Sequence, residues 1–247
     1  MHMEEKNGQK LQRIGALLVH GLHDSVCNMK ELAGFLACHD VVTLNVLLPG
    51  HGASGCNRLP IDWSESSSVI YKELQKLKQQ CKYVFLIGHS LGGALSLHLA
   101  ASNLVTGIII FCVPVYMYSW ITSSAGSVES FTPVPLKLRE DLRGSEVGRR
   151  SGVGVHGKPP VTPVESTLHY WPLLRTELPS VTAPILIMTS VDDQVVSTRD
   201  ARAIYRLIGS QEKYLVMFRR SEHLLVNDAD PEEVFARALD FIQSHAG

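Results

Sequence analysis

Tyr83-Val84-Phe85-Leu86-Ile87-Gly88-His89-Ser90-Leu91-Gly92-Gly93 is the stretch on which the reading of this 247-residue chain turns. Tyr83 to Ile87 is a short apolar run rich in β-branched and aromatic side chains, the pattern of a buried strand. Leu91 to Ala101 has the pattern of a helix. Between them, Gly88 to Gly92 reads G-x-S-x-G. A sharp turn at that point pushes the Ser90 hydroxyl out over the edge of a sheet, and the flanking glycines let neighbouring backbone come close. A helix beginning at Leu91 also aims its first N–H groups at the same spot. The five-residue pattern means little alone; its place between strand and helix makes it specific.

Working outward, the chain alternates strand and helix. Ile14 to Val19, Val41 to Leu48, Ile108 to Phe111, Ile185 to Met188 and Tyr214 to Phe218 are apolar runs of strand length. Helical patterns cover Cys27 to Ala37, Asp62 to Gln80 and Ala201 to Ile208. Asp62 to Glu65 has the spacing of a capping box with aspartate as the cap, and Ile70, Leu74, Leu77 and Cys81 follow at helical spacing. A last helix opens at Asp230-Pro231-Glu232-Glu233, a cap residue, a proline and two first-turn acids. Apolar strands alternating with helices predict an α/β fold, a mostly parallel twisted sheet with helices on both faces. From Pro114 to Pro184 no strand is convincing, and the stretch is too long for an ordinary loop. The reading is a core of residues 1–113 and 184–247, with residues 114–183 inserted as a cap over the carboxyl edge. Within it, Gly144 to Pro160 is glycine-rich, and Arg149 and Arg150 read as solvated charges.

Composition narrows the function classes. Hydrophobic residues make up 45% of the chain, enough for a sizeable core. Lys and Arg number 23 against 24 Asp and Glu. That balance lacks the basic excess expected of a protein that binds nucleic acid or an anionic membrane. The 5 cysteines (Cys27, Cys38, Cys56, Cys81 and Cys112) form no C-x-x-C pair, so neither a zinc site nor a disulfide framework is expected. Met1 to Lys10 is polar and has no signal-peptide pattern. Ile108 to Val113 is too short to span a bilayer. A soluble, cytoplasmic protein without metal or cofactor is expected; its oligomeric state is not legible.

Three further segments lie just past predicted strands, where open α/β sheets place their sites. A serine hydroxyl needs a base to take its proton. Among 11 histidines, His223 qualifies by placement, after the last strand and before the final helix. The histidine in turn needs a carboxylate to fix its tautomer. Ser190-Val191-Asp192-Asp193 follows the Ile185 strand, and either aspartate could serve. Val19-His20-Gly21-Leu22 follows the first strand, so the Leu22 N–H could face the Leu91 N–H across an oxyanion. Tyr116, Tyr118, Trp120, Phe131 and Trp171 could line an acyl pocket or form a small core of the cap. Gly152 to Gly157 matches G-x-G-x-x-G, but no strand precedes it and Lys158-Pro159-Pro160 follows, so a dinucleotide site is rejected. Cys112, at a strand end, reads as buried packing.

Taken together these residues resemble the α/β-hydrolase superfamily, and within it the bacterial carboxylesterase and monoacylglycerol-lipase-like group. The resemblance runs from about Ile14 to Ala246. It rests on Leu17 to Gly21, Pro49 to Ser54, Asp62-Trp63, Gly88 to Gly93, Asp193 to Val196 and Ser221 to His223. The order serine, aspartate, histidine is that superfamily's own. Its G-x-x-D-x-x-V pattern is matched here with Ser190 for glycine, which favours Asp193 over Asp192. The usual S-G-H is Ser221-Glu222-His223. His51, in the Pro-Gly-His-Gly loop, is usually a structural turn residue there. The resemblance implies a serine hydrolase of carboxylic esters, short- to medium-chain acyl esters or monoacylglycerols, with Ser90 as nucleophile, His223 as base, Asp193 as its partner and the Leu22 and Leu91 amides as oxyanion hole. The same triad would serve a thioesterase or amidase, and a non-catalytic member of the fold would instead bind a small ligand.

Overall fold

The core strands are apolar on both faces, so both faces must be covered. The computed structural model describes residues 13–22, 26–51, 62–116, 170–219, 221–228 and 231–247. In chain order these form β1 (Ile14–Val19), α1 (Lys30–Ala37), β2 (Val41–Val46), α2 (Trp63–Gln80), β3 (Tyr83–His89), α3 (Leu91–Ala100), β4 (Gly107–Phe111), α4 (Tyr170–Glu177), β5 (Ile185–Ser190), α5 (Thr198–Leu207), β6 (Lys213–Phe218) and α6 (Pro231–His245). The strands lie in the order β2-β1-β3-β4-β5-β6, every neighbouring pair parallel. The step from β2 back past β1 to β3 reverses the winding direction. In open α/β sheets that reversal places the binding crevice at the strands' carboxyl ends.

Period-2 alternation sorts each strand between two cores. Leu17, Val19, Leu86, Ile108, Ile110, Ile185 and Ile187 face one way, beneath α2, α3, α4 and α5. Ala16, Leu18, Phe85, Ile87, Ile109, Phe111, Leu186 and Met188 face the other, beneath α1 and α6. The sheet is thus wound on both faces. The Asp62 side chain caps α2 by accepting from the Glu65 N–H at 2.8 Å, as its spacing predicts.

Several boundaries move. β2 ends at Val46, because Leu47 turns outward ahead of Pro49. β3 and β5 each run two residues further than their apolar runs, since the ladder continues through Gly88-His89 and Thr189-Ser190. The helical pattern from Cys27 splits into a 3-10 turn, Val26–Met29, and α1. α5 starts at Thr198, capped by Ser197, whose hydroxyl accepts from the Arg199 N–H.

The stretch read as an insertion contributes described residues 114–116 and 170–183, and the glycine-rich Gly144 to Pro160 lies outside the described residues. α4 packs onto α3. Trp171 is buried in the first core, edge-on to Trp63, while Tyr170 stacks on Trp63 with ring centroids 5.0 Å apart. At the departure point one oxygen of the buried Asp200 carboxylate accepts the N–H groups of Val115 and Tyr116, at 2.8 and 2.7 Å. Arg175 of α4 donates to the Val115 carbonyl and lies over the Tyr116 ring. Among the described residues, no helix is long and apolar enough to cross a membrane.

Candidate active site

Ser90 sits between the last residue of β3 and the first of α3, with φ 50° and ψ −118°. That backbone is unfavourable for a residue with a Cβ, and such outliers persist only where their surroundings enforce them. Here the Ser90 N–H is held by the Phe111 carbonyl at 2.9 Å. The glycines explain how the turn fits. A Cβ on Gly88 would lie 2.5 Å from Gly93 Cα, and one on Gly92 would run into the Val19 carbonyl oxygen. β3, α3 and the end of β1 therefore meet backbone to backbone.

His223 and Asp193 come together from different loops. His223 Nδ1 lies 2.9 Å from Asp193 Oδ2. The other carboxylate oxygen, Oδ1, accepts the N–H groups of Val195 and Val196 at 2.7 and 2.8 Å. Burial pushes the Asp193 carboxyl up, but the hydrogen bond and charge of His223, with the Val196 and Val195 amides, outweigh it and hold the group below its usual value. A carboxylate so placed is ionised, and it fixes His223 with its proton on Nδ1 and Nε2 open to accept. Asp192 is exposed, and of the two aspartates it is Asp193 that lies against His223.

The serine turn and the histidine loop are joined through His89. Its Nε2 lies 3.0 Å from the His223 carbonyl oxygen, and the two rings stand 4.8 Å apart. Ser90 Oγ forms no hydrogen bond with the His223 ring among the described residues; catalytic hydrogen bonds often tighten only once substrate is bound.

The first turn of α3 leaves its N–H groups without partners inside the helix, Leu91 among them. The second candidate oxyanion donor, the Leu22 N–H, belongs to the Gly21–Leu22 peptide, whose orientation is pinned from behind. The Leu48 N–H donates to His20 Nε2 at 3.2 Å, so the neutral ring carries its proton on Nδ1 and donates to the Gly21 carbonyl at 2.8 Å. In a trans peptide the N–H points opposite to that anchored carbonyl. His51 Nε2 donates to the next carbonyl, that of Leu22. The sequence places His20 in the turn that carries the Leu22 N–H without giving its ring a task; a polar ring with no exposed surface is the feature that singles it out here.

Of the aromatics considered for an acyl pocket, Tyr116 is half-buried beneath Arg175 and Trp171 is buried against Trp63. Trp120, with Tyr118 and Phe131, lies outside the described residues. Cys112, read as packing, is buried in the second core. The four described cysteines, Cys27, Cys38, Cys81 and Cys112, are free thiols.

A six-stranded parallel sheet, a strained serine at a strand–helix turn and a histidine–aspartate pair in loops after later strands invite comparison with known families. The model of the alpha/beta hydrolase family matches residues 16–238, and the chain belongs to that family. Among curated relatives it is 28% identical to the thermostable monoacylglycerol lipase of Bacillus sp. (strain H-257), over 95% of this chain and 92% of that one. It is 21% identical to the carboxylesterase of Bacillus subtilis (strain 168), over 96% and 94% of the two chains. A solved structure reported with the metagenome-derived lipolytic enzymes LipS and LipT superposes with a TM-score of 0.74 at 27% identity, covering 95% of each chain.

Proposed function

We propose that this chain is a carboxylic ester hydrolase that works through an acyl-enzyme on Ser90. The observation that carries the reading is the 2.9 Å His223–Asp193 contact, in a loop fastened to the very turn that bears Ser90. The lipase and esterase names of its relatives point the same way. His223 Nε2 takes the Ser90 proton as Oγ adds to the ester carbonyl, and the charge that grows on the carbonyl oxygen is met by the Leu22 and Leu91 amides. His223 then protonates the departing alkoxide, and water repeats the sequence on the acyl-enzyme. No step calls for a metal or cofactor.

The substrates we favour are short- to medium-chain acyl esters, monoacylglycerols among them. Tyr116, Trp171 and Trp120 are the aromatics we put forward for acyl contact. The free cysteines fit a reducing, cytoplasmic setting.

The test is labelling with a serine-directed phosphonate, located by peptide mass spectrometry, beside an ester series of rising acyl length. Label on Ser90 and a peak at short to medium chains are expected. Ser90→Ala should fold as the parent and lose nearly all turnover. Substantial turnover in that variant, or label elsewhere, refutes the proposal; faster turnover of matched thioesters or amides would move the substrate class.

A further inference from the structure

Cys112 is a buried nucleophilic group beside the site that this scheme leaves unused. It follows β4 directly, with 1% of its surface exposed and a φ of 48°. That left-handed backbone is costly for a side chain with a Cβ. The Cys112 N–H is held by the Met188 carbonyl of β5 at 3.0 Å. In this conformation Sγ, a carboxylate oxygen of Asp193 and a ring nitrogen of His223 all lie within 4.8 Å of one another.

The chemistry of the thiol is fixed by those neighbours. Burial first, and then the charge and hydrogen bonding of Asp193, outweigh the Ser190 amide and the Thr189 hydroxyl and push the Cys112 thiol well above its usual value, so it stays a protonated S–H. An ionised carboxylate offers about four lone-pair sites. In Asp193 the Val195 and Val196 amides occupy two, and His223 Nδ1 a third. A proton donor at Cys112 matches the vacancy; a second anion there would be repelled.

We propose that Cys112 is a positioning residue, its S–H directed at the Asp193 carboxylate and setting how strongly that carboxylate holds the protonated His223. The proposal rests on His223 being the base. A donor on the carboxylate draws charge from it and weakens its grip on the imidazolium. The base then stays neutral, and active, further into the acid range. The other titratable groups around His223 are unchanged by any variant at Cys112. Among the described residues they include His89 across from its ring, and Glu222 and Asp228 on its own loop, where the Glu222 N–H donates to the Asp228 carboxylate.

The experiment is kcat/KM against pH on a soluble ester for the parent, Cys112→Ala and Cys112→Ser. Loss of the donor should move the acidic limb of Cys112→Ala up by about half a pH unit, with the plateau within about tenfold of the parent. Cys112→Ser, a hydroxyl donor of similar reach, should bring the limb back. A residue that merely packs would lower the plateau and leave the limb in place. An Ala limb superimposed on the parent's overturns the proposal and spares the triad. A parent profile with no acidic limb between about pH 5 and 8, where imidazoles titrate, removes both. Should Cys112→Ala fail to fold, the infrared S–H stretch decides. The band present in the parent and missing in Cys112→Ser should lie below the free-thiol position and shift with the acidic limb. A free-thiol position independent of pH overturns the proposal.

Discussion

Asp193→Asn exchanges one carboxylate oxygen for an amide nitrogen at nearly constant shape. The Val195 and Val196 N–H groups demand an acceptor, so the asparagine carbonyl takes their side and the NH2 faces His223 Nδ1. Two donors would then confront each other, and the ring relieves this by moving its proton to Nε2. That is the nitrogen that must accept from Ser90. The charge is lost as well. At 2.9 Å and an effective dielectric near 20, the carboxylate–imidazolium attraction is about 6 kcal/mol. At about 1.4 kcal/mol per decade this corresponds to about four decades of rate. We expect kcat to fall about 10⁴-fold, with phosphonate titration giving the count of active sites. Asp192→Asn should stay within about threefold of the parent. Asp193→Asn within tenfold of the parent, or Asp192→Asn equally damaged, refutes the reasoning. The same variant bears on acid stability. Because the folded Asp193 carboxyl is held below its usual value, it stabilises the fold above its unfolded pKa, about 3.9. That contribution is lost as pH falls through the lower, folded value. Urea midpoints of parent and Asp193→Asn should therefore converge below about pH 4.

Two further substitutions probe the frame around the site. Gly92→Ala drives a methyl group into the Val19 carbonyl and must lever α3 away from β1; about 1–3 kcal/mol of stability should be lost in urea titration, with a larger proportional fall in kcat. Asp200→Ala strands two N–H groups, the buried one of Val115 and the half-buried one of Tyr116, at a cost of about 2–3 kcal/mol, and should sharpen proteolysis near Tyr116.

The elements of the sheet were legible because apolar runs and helix caps are local signals. Asp62 and its Glu65 partner illustrate this, four adjacent residues that carry their own hydrogen bond. Boundaries were less so. Gly88-His89 and Thr189-Ser190 lack the apolar signature yet continue the ladder, since backbone pairing is blind to side-chain type. α4 escaped notice because Pro172, tolerated in a helix's first turn, reads as a breaker, and only Trp171 and Leu174 of the helix are buried. Its reason to be helical is tertiary, the stacking on Trp63. At the site, Ser90 directly follows β3 and His223 lies in the loop after β6, positions that the strand pattern alone indicates. Asp192 and Asp193 are indistinguishable by local physics, and only the loop amides decide which turns inward. The task of the His20 ring was not legible because one of its partners, the Leu48 N–H, lies far along the chain.

The joint between Asp200, Val115, Tyr116 and Arg175 has a wider consequence. Chain that leaves the sheet after β4 and chain that returns as α4 are moored at one spot, on groups that belong to neither the nucleophile turn nor the histidine loop. A substitution at this joint should therefore alter the seating of α4 while leaving the His223–Asp193 contact in place.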